Sequence, residues 1–108
     1  MTTFDDRERA FEAQYARDQE MQFKIVARRN RLLGQWAARK MGLTEAEADA
    51  YARDVIRADF EAAGDDDVIR KLLGDLTSAG IDVDESALRQ ALQHKTVEAR
   101  RHFIEARS

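Results

Sequence analysis

The chain has no cysteine and no proline among its 108 residues, and only five glycines. Without cysteine, neither a disulfide nor a thiolate metal site can form. The lack of proline, the few glycines and a charged fraction of 36% are typical of an all-helical protein. No apolar run approaches the ~18 residues of a membrane span, and the beginning of the chain lacks the pattern of a signal peptide. The length predicts one domain with one modest core.

The first predicted helix is unusually long. It begins near Asp5, whose carboxylate can cap the opening turn, and it runs to about Lys40. At about 1.5 Å per residue it measures on the order of 50 Å, more than the width of a small domain. Gly34 weakens it only slightly, and Gly42 ends it. Part of this helix is therefore expected to project, bend or fray.

Three shorter helices follow from their caps and stops. Thr44 and Glu47 form a capping box, the aspartates at 65–67 suit the positive end of a helix dipole, and Asp84 caps the last helix. Gly64 and Gly80 end the second and third helices. No segment alternates with period two, and the connections are short. The sequence therefore predicts an all-α four-helix bundle.

Charge is strongly segregated along the chain. Residues 1–20 carry a net charge of −3, residues 21–44 carry +6, residues 45–67 carry −7 and residues 68–108 carry +1. One interpretation is that the basic first helix packs beside the acidic second helix. The other is that the basic stretch binds an anion or a nucleic acid.

The N-terminal part differs in character from the rest. Its large apolar residues, Phe4, Phe11 and Tyr15, are 7 and 4 apart and form one thin stripe on a helix. A stripe this thin predicts an N-terminal arm (residues 1–18) that binds a partner's groove, joined to a bundle (residues 19–108). The alternative is that the three side chains fold back onto the bundle.

Arg29 is predicted to lie within the apolar face of the first helix, where a guanidinium needs a partner. One hypothesis is an internal ion pair with an acid of the second helix, such as Asp54 or Glu61. The other is an anion site, in which basic side chains bind a phosphate and an aromatic ring contacts a base. The residues of that nucleotide site would be Lys24, Arg28, Arg29 and Trp36.

Catalysis finds little support in the sequence. His94 and His102 have no third ligand at metal spacing, and there is no glycine-rich phosphate loop. Nucleic-acid binding is disfavoured by the acidic net charge of −3. We therefore predict a protein that is not an enzyme, has no metal site and binds no nucleic acid.

The chain resembles the zeta subunit family, small α-proteobacterial regulators of the F-type ATP synthase. The segments that carry the resemblance all lie in the first helix: Phe4-Asp5-Asp6-Arg7-Glu8, Phe23-Lys24, Arg28-Arg29-Asn30, Leu32-Leu33-Gly34 and Trp36-Ala37. The remainder agrees in length and helix pattern. Arg39-Lys40 departs from the acidic or apolar pair expected before the glycine.

The resemblance implies an inhibitor of ATP hydrolysis whose N-terminal segment inserts at a catalytic interface between the α and β subunits, with the central stalk as a further partner. It also implies a four-helix bundle that binds ADP or ATP as a regulatory ligand and requires no cofactor. The expected location is cytoplasmic, peripheral to the inner membrane through the synthase, without direct membrane insertion. The partner-binding residues carried over to this sequence are Phe4, Asp5, Arg7, Glu8, Phe11, Glu12, Tyr15 and Asp18.

Two further hypotheses come from other classes of protein. In one, the chain is a nucleotide-sensing bundle without an inhibitory arm. In the other, it is a helical protein associated with nucleic acid. Loss of the arm would abolish function only under the inhibitor hypothesis.

Overall fold

The computed structural model describes the backbone of residues 3–61 and 64–106 and the side chains of residues 18–59 and 64–106. These ranges contain four α-helices and no strand, which confirms the predicted all-α fold. The helices are α1 (Thr3–Lys40), α2 (Glu45–Glu61), α3 (Asp65–Ser78) and α4 (Glu85–Ala106).

The helix ends are where glycine spacing predicts them. Gly42 and Gly80 have positive φ angles of 76° and 79°, which favour glycine because it has no Cβ. Past Gly42, the Leu43 amide donates to the Ala38 carbonyl at 3.0 Å, and the same bond pattern follows Gly80. Both turns are Schellman motifs, which satisfy carbonyls at the helix ends.

Side chains cap two of the helix starts, as predicted. The Thr44 amide donates to Glu47 Oε1 at 3.0 Å, and the Glu47 amide donates to Thr44 Oγ1 at 3.2 Å. The bond from the Thr44 amide, followed by the bond from its hydroxyl, holds the pKa of the Glu47 carboxyl below its usual range. At the start of α4, Asp84 Oδ1 accepts from the Ala87 amide at 2.8 Å.

One apolar core holds the four helices together. Its buried members come from all four helices, so one core joins them. They are Leu33, Ala37, Val55, Val68, Ile69, Leu72, Leu76, Leu88 and Leu92.

The α1–α2 contact is close because α1 carries a glycine there. Gly34 is buried, and a Cβ built on it would lie 2.7 Å from Ala52 Cα and 3.2 Å from Val55 Cγ2. Ala38, Ala48 and Ala52 are also buried. Small residues therefore let the two backbones approach, and Gly34 has a packing role that helix propensity alone did not indicate.

A polar cluster joins α2 to α3 beside the core. The Tyr51 hydroxyl donates to Asp75 Oδ2 at 2.7 Å, and Lys71 Nζ donates to the same oxygen at 3.1 Å. Lys71 Nζ also lies 5.3 Å from the centre of the Tyr51 ring. Burial first, and then the bond to the Asp75 carboxylate, raise the pKa of the Tyr51 hydroxyl.

Helix α1 is much longer than its neighbours. Its 38 residues correspond to about 57 Å, whereas the 22 residues of α4 correspond to about 33 Å. The molecule measures 65 × 28 × 22 Å, so α1 accounts for most of its length. Neither α2 nor α4 is long enough to cover all of α1.

Candidate functional site

The predicted N-terminal arm is the first part of α1, and the helix continues without a break into the bundle. Of the predicted partner-binding side chains only Asp18 is described, and it is exposed. The other seven side chains lie outside the described residues: Phe4, Asp5, Arg7, Glu8, Phe11, Glu12 and Tyr15. Their role in binding a partner therefore stays a prediction.

The four residues of the predicted nucleotide site occupy different positions on α1. Lys24 is exposed, Arg28 and Trp36 are half-buried, and Arg29 is buried with 4% of its surface exposed. At about 100° per residue, Lys24 and Arg28 share one face while Arg29 and Trp36 share another. Lys24 and Trp36 are also separated by about 18 Å along the helix axis. The helix does not bring the four side chains onto one surface.

Arg29 is part of an internal network, as one of the two hypotheses proposed. Its Nη2 lies 3.0 Å from Asp65 Oδ1, and its Nε and Nη2 donate to Asn30 Oδ1 at 3.1 and 3.0 Å. Asn30 Nδ2 in turn donates to Asp59 Oδ2 at 2.9 Å. The network ties the middle of α1 to the last turn of α2 and the first residue of α3. It neutralises a charge that would be strongly unfavourable in the core if unpaired.

The partner of Arg29 differs from the acids that the sequence suggested. Asp54 is exposed and forms no ion pair with Arg29, and the side chain of Glu61 is not described. Asp65 replaces them because the chain turns at Gly64, which has a φ of 131°, and so places the start of α3 beside Arg29. Asn30 and Asp59 were not recognised as site residues. The only sequence signal was an asparagine next to Arg29 within an apolar helix face.

A cleft of about 370 Å³ opens next to this network. Its volume falls in the range of small-molecule pockets, roughly 300–1,000 Å³. It is lined by Phe23, Val26, Ala27, Asn30, Ile56, Asp59, Gly64 and Asp65. The polar lining consists mainly of oxygen acceptors, and the Arg29 guanidinium is held in the ion pair. The cleft therefore suits an apolar or aromatic group with N–H donors better than it suits a phosphate.

A second concave surface lies on the opposite side of α1, against the end of α4. This α1–α4 groove has a volume of about 200 Å³ and is lined by Met21, Gln22, Ile25, Arg100, Phe103 and Ile104. Ile104 is 60% exposed. The groove thus presents apolar surface to solvent.

The predicted absence of metal chemistry is not contradicted among the described residues. His94 and His102 are exposed, and the described part of the chain has no group of three or more ligating side chains that could hold a metal ion. Within the same part, every helix is too short or too polar to cross a membrane.

Comparisons with known proteins agree with the predicted resemblance. The family model of the ATPase inhibitor subunit zeta matches residues 1–102, which is nearly the whole chain. A solution NMR structure of a protein that is 42% identical has a TM-score of 0.70, over 80% of this chain and 98% of that one. A search of curated proteins gives no significant match.

Proposed function

The chain belongs to the family of ATPase inhibitor zeta subunits, and we propose that it stops ATP hydrolysis by inserting the first part of α1 at a catalytic interface between the α and β subunits of the F-type ATP synthase. In this proposal the bundle positions the arm and the central stalk is a further contact. Membership of the family supports a regulatory role; the insertion and its residues are our proposal.

The observation that carries the proposal is the continuity of α1, which is a single helix of 38 residues. A segment that is already helical loses less conformational entropy on binding than a disordered one. Amphipathic helices bind grooves through apolar residues spaced at three, four and seven positions, and Phe4, Phe11 and Tyr15 have that spacing. Arg7 is one of three arginines in the arm that can pair with acids of the partner.

Inhibition is expected to depend mainly on the aromatic residues of the arm. A few buried aromatic side chains often dominate an interface, at about 2 kcal/mol or more each when truncated. A Phe11→Ala substitution should therefore raise the concentration for half-inhibition roughly thirtyfold. Substituting Phe4, Phe11 and Tyr15 together should abolish inhibition.

The test is ATP hydrolysis by a purified F-type ATPase, titrated with the full chain and with these variants. A Val97→Ala variant is a suitable control, because Val97 is 52% exposed on α4 and far from the arm in sequence. It should inhibit as the unchanged chain does. Full inhibition by the triple variant would contradict the proposal.

A second candidate activity is adenine nucleotide binding, and the cleft beside Asn30 is the observation that favours it. Phe23, Val26 and Ile56 offer an apolar surface for a base, and Asp59 offers an acceptor for an exocyclic amine. The carboxylates of the cleft would direct the phosphates outward to solvent. This arrangement differs from a phosphate site centred on the buried arginine.

Amide chemical shifts measured with ADP and ATP separate the two arrangements. Shifts concentrated at Phe23, Asn30 and Asp59 would support the cleft. Shifts concentrated at Lys24 and Arg28 would instead place the nucleotide on the outer face of α1. No shift at saturating nucleotide would remove nucleotide binding from the proposed function.

A further inference from the structure

The α1–α4 groove is apolar on its floor and positive at its rim. Met21, Ile25 and Phe103 form the floor, and the exposed Ile104 forms one wall. Arg100 lines the groove, and no acidic side chain is among the lining residues. Such a groove fits an amphipathic helix that carries both apolar and acidic side chains.

Other cations lie on the same side of the molecule. Lys24 and Arg28 each follow a floor residue of α1 by three positions, so they lie beside the floor on the helix surface. Arg101 is next to Arg100 on α4 and is exposed. None of these four cations forms a salt bridge within the described part of the chain. The rim therefore carries four cations without an ion pair there, and the exposed acids Glu20 and Glu105 lie one turn from Lys24 and Arg101.

Arg28, which follows the floor residue Ile25 by three positions, has a donor without a partner in the described part of the chain. Its Nε atom is buried and has no hydrogen-bond partner among the described residues. A buried donor without a partner costs free energy.

We propose that the α1–α4 groove binds the N-terminal arm of a second copy of this chain. The arm has the matching chemistry, because residues 1–18 contain five acids and three bases, a net charge of −2, together with the predicted stripe of Phe4, Phe11 and Tyr15. Phenylalanine and tyrosine rings can fill the apolar floor while the acids face the cations of the rim. Charge complementarity of this kind favours one partner and one orientation.

The arm of the same copy cannot reach this groove. The arm and the groove residues Met21, Gln22 and Ile25 belong to one uninterrupted helix, so the arm leads away from them along the helix axis. Folding back would require α1 to break near residue 18. A second copy meets the groove without any break in α1.

Two copies can satisfy both grooves at once. By the 3.6-residue period, the predicted stripe of the arm lies on the same side of α1 as Ile25. If two α1 helices lie antiparallel about a two-fold axis near residue 18, each arm contacts the groove of the other copy. This closed arrangement leaves no free groove and predicts a dimer, with no larger assembly.

This inference deepens the proposed function, on which its regulatory part rests. An arm held in the groove of another copy is not available to the ATPase. The dimer is then an inactive reservoir, and dilution or a competing acidic surface releases the inhibitor. The dimer itself does not depend on the ATPase and can be tested without it.

Sedimentation velocity of the full chain over a range of concentrations is the first measurement. We expect reversible dimerisation that weakens as salt is raised, because exposed charges are screened. Ile104→Asp should weaken the dimer roughly a thousandfold, because a two-fold dimer carries the change in both grooves at about 2 kcal/mol each. Val97→Asp is the matched control, since Val97 is similarly exposed on the same helix but does not line the groove.

A complementation experiment identifies the two contacting surfaces. The Ile104→Asp variant has a damaged groove and an intact arm. The variant with alanine at Phe4, Phe11 and Tyr15 has a damaged arm and an intact groove. Each variant alone should be monomeric, whereas an equal mixture should form a heterodimer through one intact contact. Circular dichroism checks that both variants stay folded, which is expected because Ile104 lies outside the core.

Three results would overturn the inference. The chain could be monomeric up to its solubility limit, Val97→Asp could weaken the dimer as much as Ile104→Asp does, or the mixed variants could fail to associate. The regulatory part has its own test, because Ile104→Asp should inhibit the ATPase at lower concentration than the unchanged chain. Weaker inhibition by this variant, with the dimer lost, would assign the groove to the ATPase and refute the reservoir.

Discussion

Two glycines lie inside helices, and we expect their replacement by alanine to have opposite effects on stability, because only Gly34 lies where α1 and α2 approach closely. Replacing either by alanine adds helix propensity worth about 1 kcal/mol. Gly74 in α3 is exposed, and a methyl group added to it would meet no other atom within 4 Å, so Gly74→Ala should stabilise the chain. Gly34→Ala places its methyl group 2.7 Å from Ala52 Cα.

The magnitude for Gly34→Ala follows from that contact. Carbon atoms pack at about 3.5–4.0 Å, so the helices must separate by about 1 Å or the backbone must shift. Overpacking of this kind usually costs about 1–3 kcal/mol. The gain of about 1 kcal/mol in helix propensity offsets part of this cost, so Gly34→Ala should destabilise the chain by up to about 2 kcal/mol. Because Gly74→Ala has the gain without the clash, the Gly34→Ala variant should be about 1–3 kcal/mol less stable than the Gly74→Ala variant.

The assay is urea and thermal unfolding of both variants, followed by circular dichroism. For a chain of this length the expected difference in midpoint temperature is about 4 °C per kcal/mol. If Gly34→Ala proved as stable as Gly74→Ala, the close packing of α1 on α2 would be wrong. A lower m-value for Gly34→Ala alone would indicate a changed denatured or native state instead of a local clash.

Three further predictions concern polar side chains. Asp65→Ala should lower the free energy of unfolding by about 1–2 kcal/mol, because it leaves the buried Arg29 guanidinium without its acid. Arg29→Met should cost less, because the Asp65 carboxylate that it leaves unpaired is half-exposed. Equal losses of the two variants in urea titrations would contradict this. The pKa of the Tyr51 hydroxyl is raised in the folded chain. Above pH about 10 the unfolded chain therefore loses the hydroxyl proton while the folded chain keeps it, and the free energy of unfolding falls as pH rises. In Tyr51→Phe, the free energy of unfolding should fall less steeply between pH 9 and 12. Thr44→Ala should cost about 1 kcal/mol through loss of the capping box, and an unchanged midpoint temperature would show that the box contributes little.

Local features of the fold could be predicted from the sequence because their causes are local. The capping bonds of Thr44 and Asp84, and the positive φ at Gly42 and Gly80, each depend on residues within one helical turn. Such signals need no knowledge of what packs nearby. They were sufficient to divide the chain into four helices and to predict a bundle.

Features that depend on distant residues could not be predicted in the same way. The need of Arg29 for an acid followed from its place on an apolar face, but Asp65 is 36 positions away and is brought there by the turn at Gly64. Gly34 was interpreted through propensity alone, because the approach of Ala52 is a property of the packed pair. The Asn30–Asp59 bond, which borders the cleft, is likewise visible only in three dimensions.

The unbroken course of α1 makes the direction of the arm a matter of counting residues. Removing one residue such as Gln19 would turn the arm by about 100° relative to the bundle and shorten its reach by about 1.5 Å. Inserting seven residues there would nearly restore the angle, to within about 20°, while extending the arm by about 10 Å. The number of residues between Tyr15 and Met21 therefore sets both the reach of the arm and the direction in which it faces a partner.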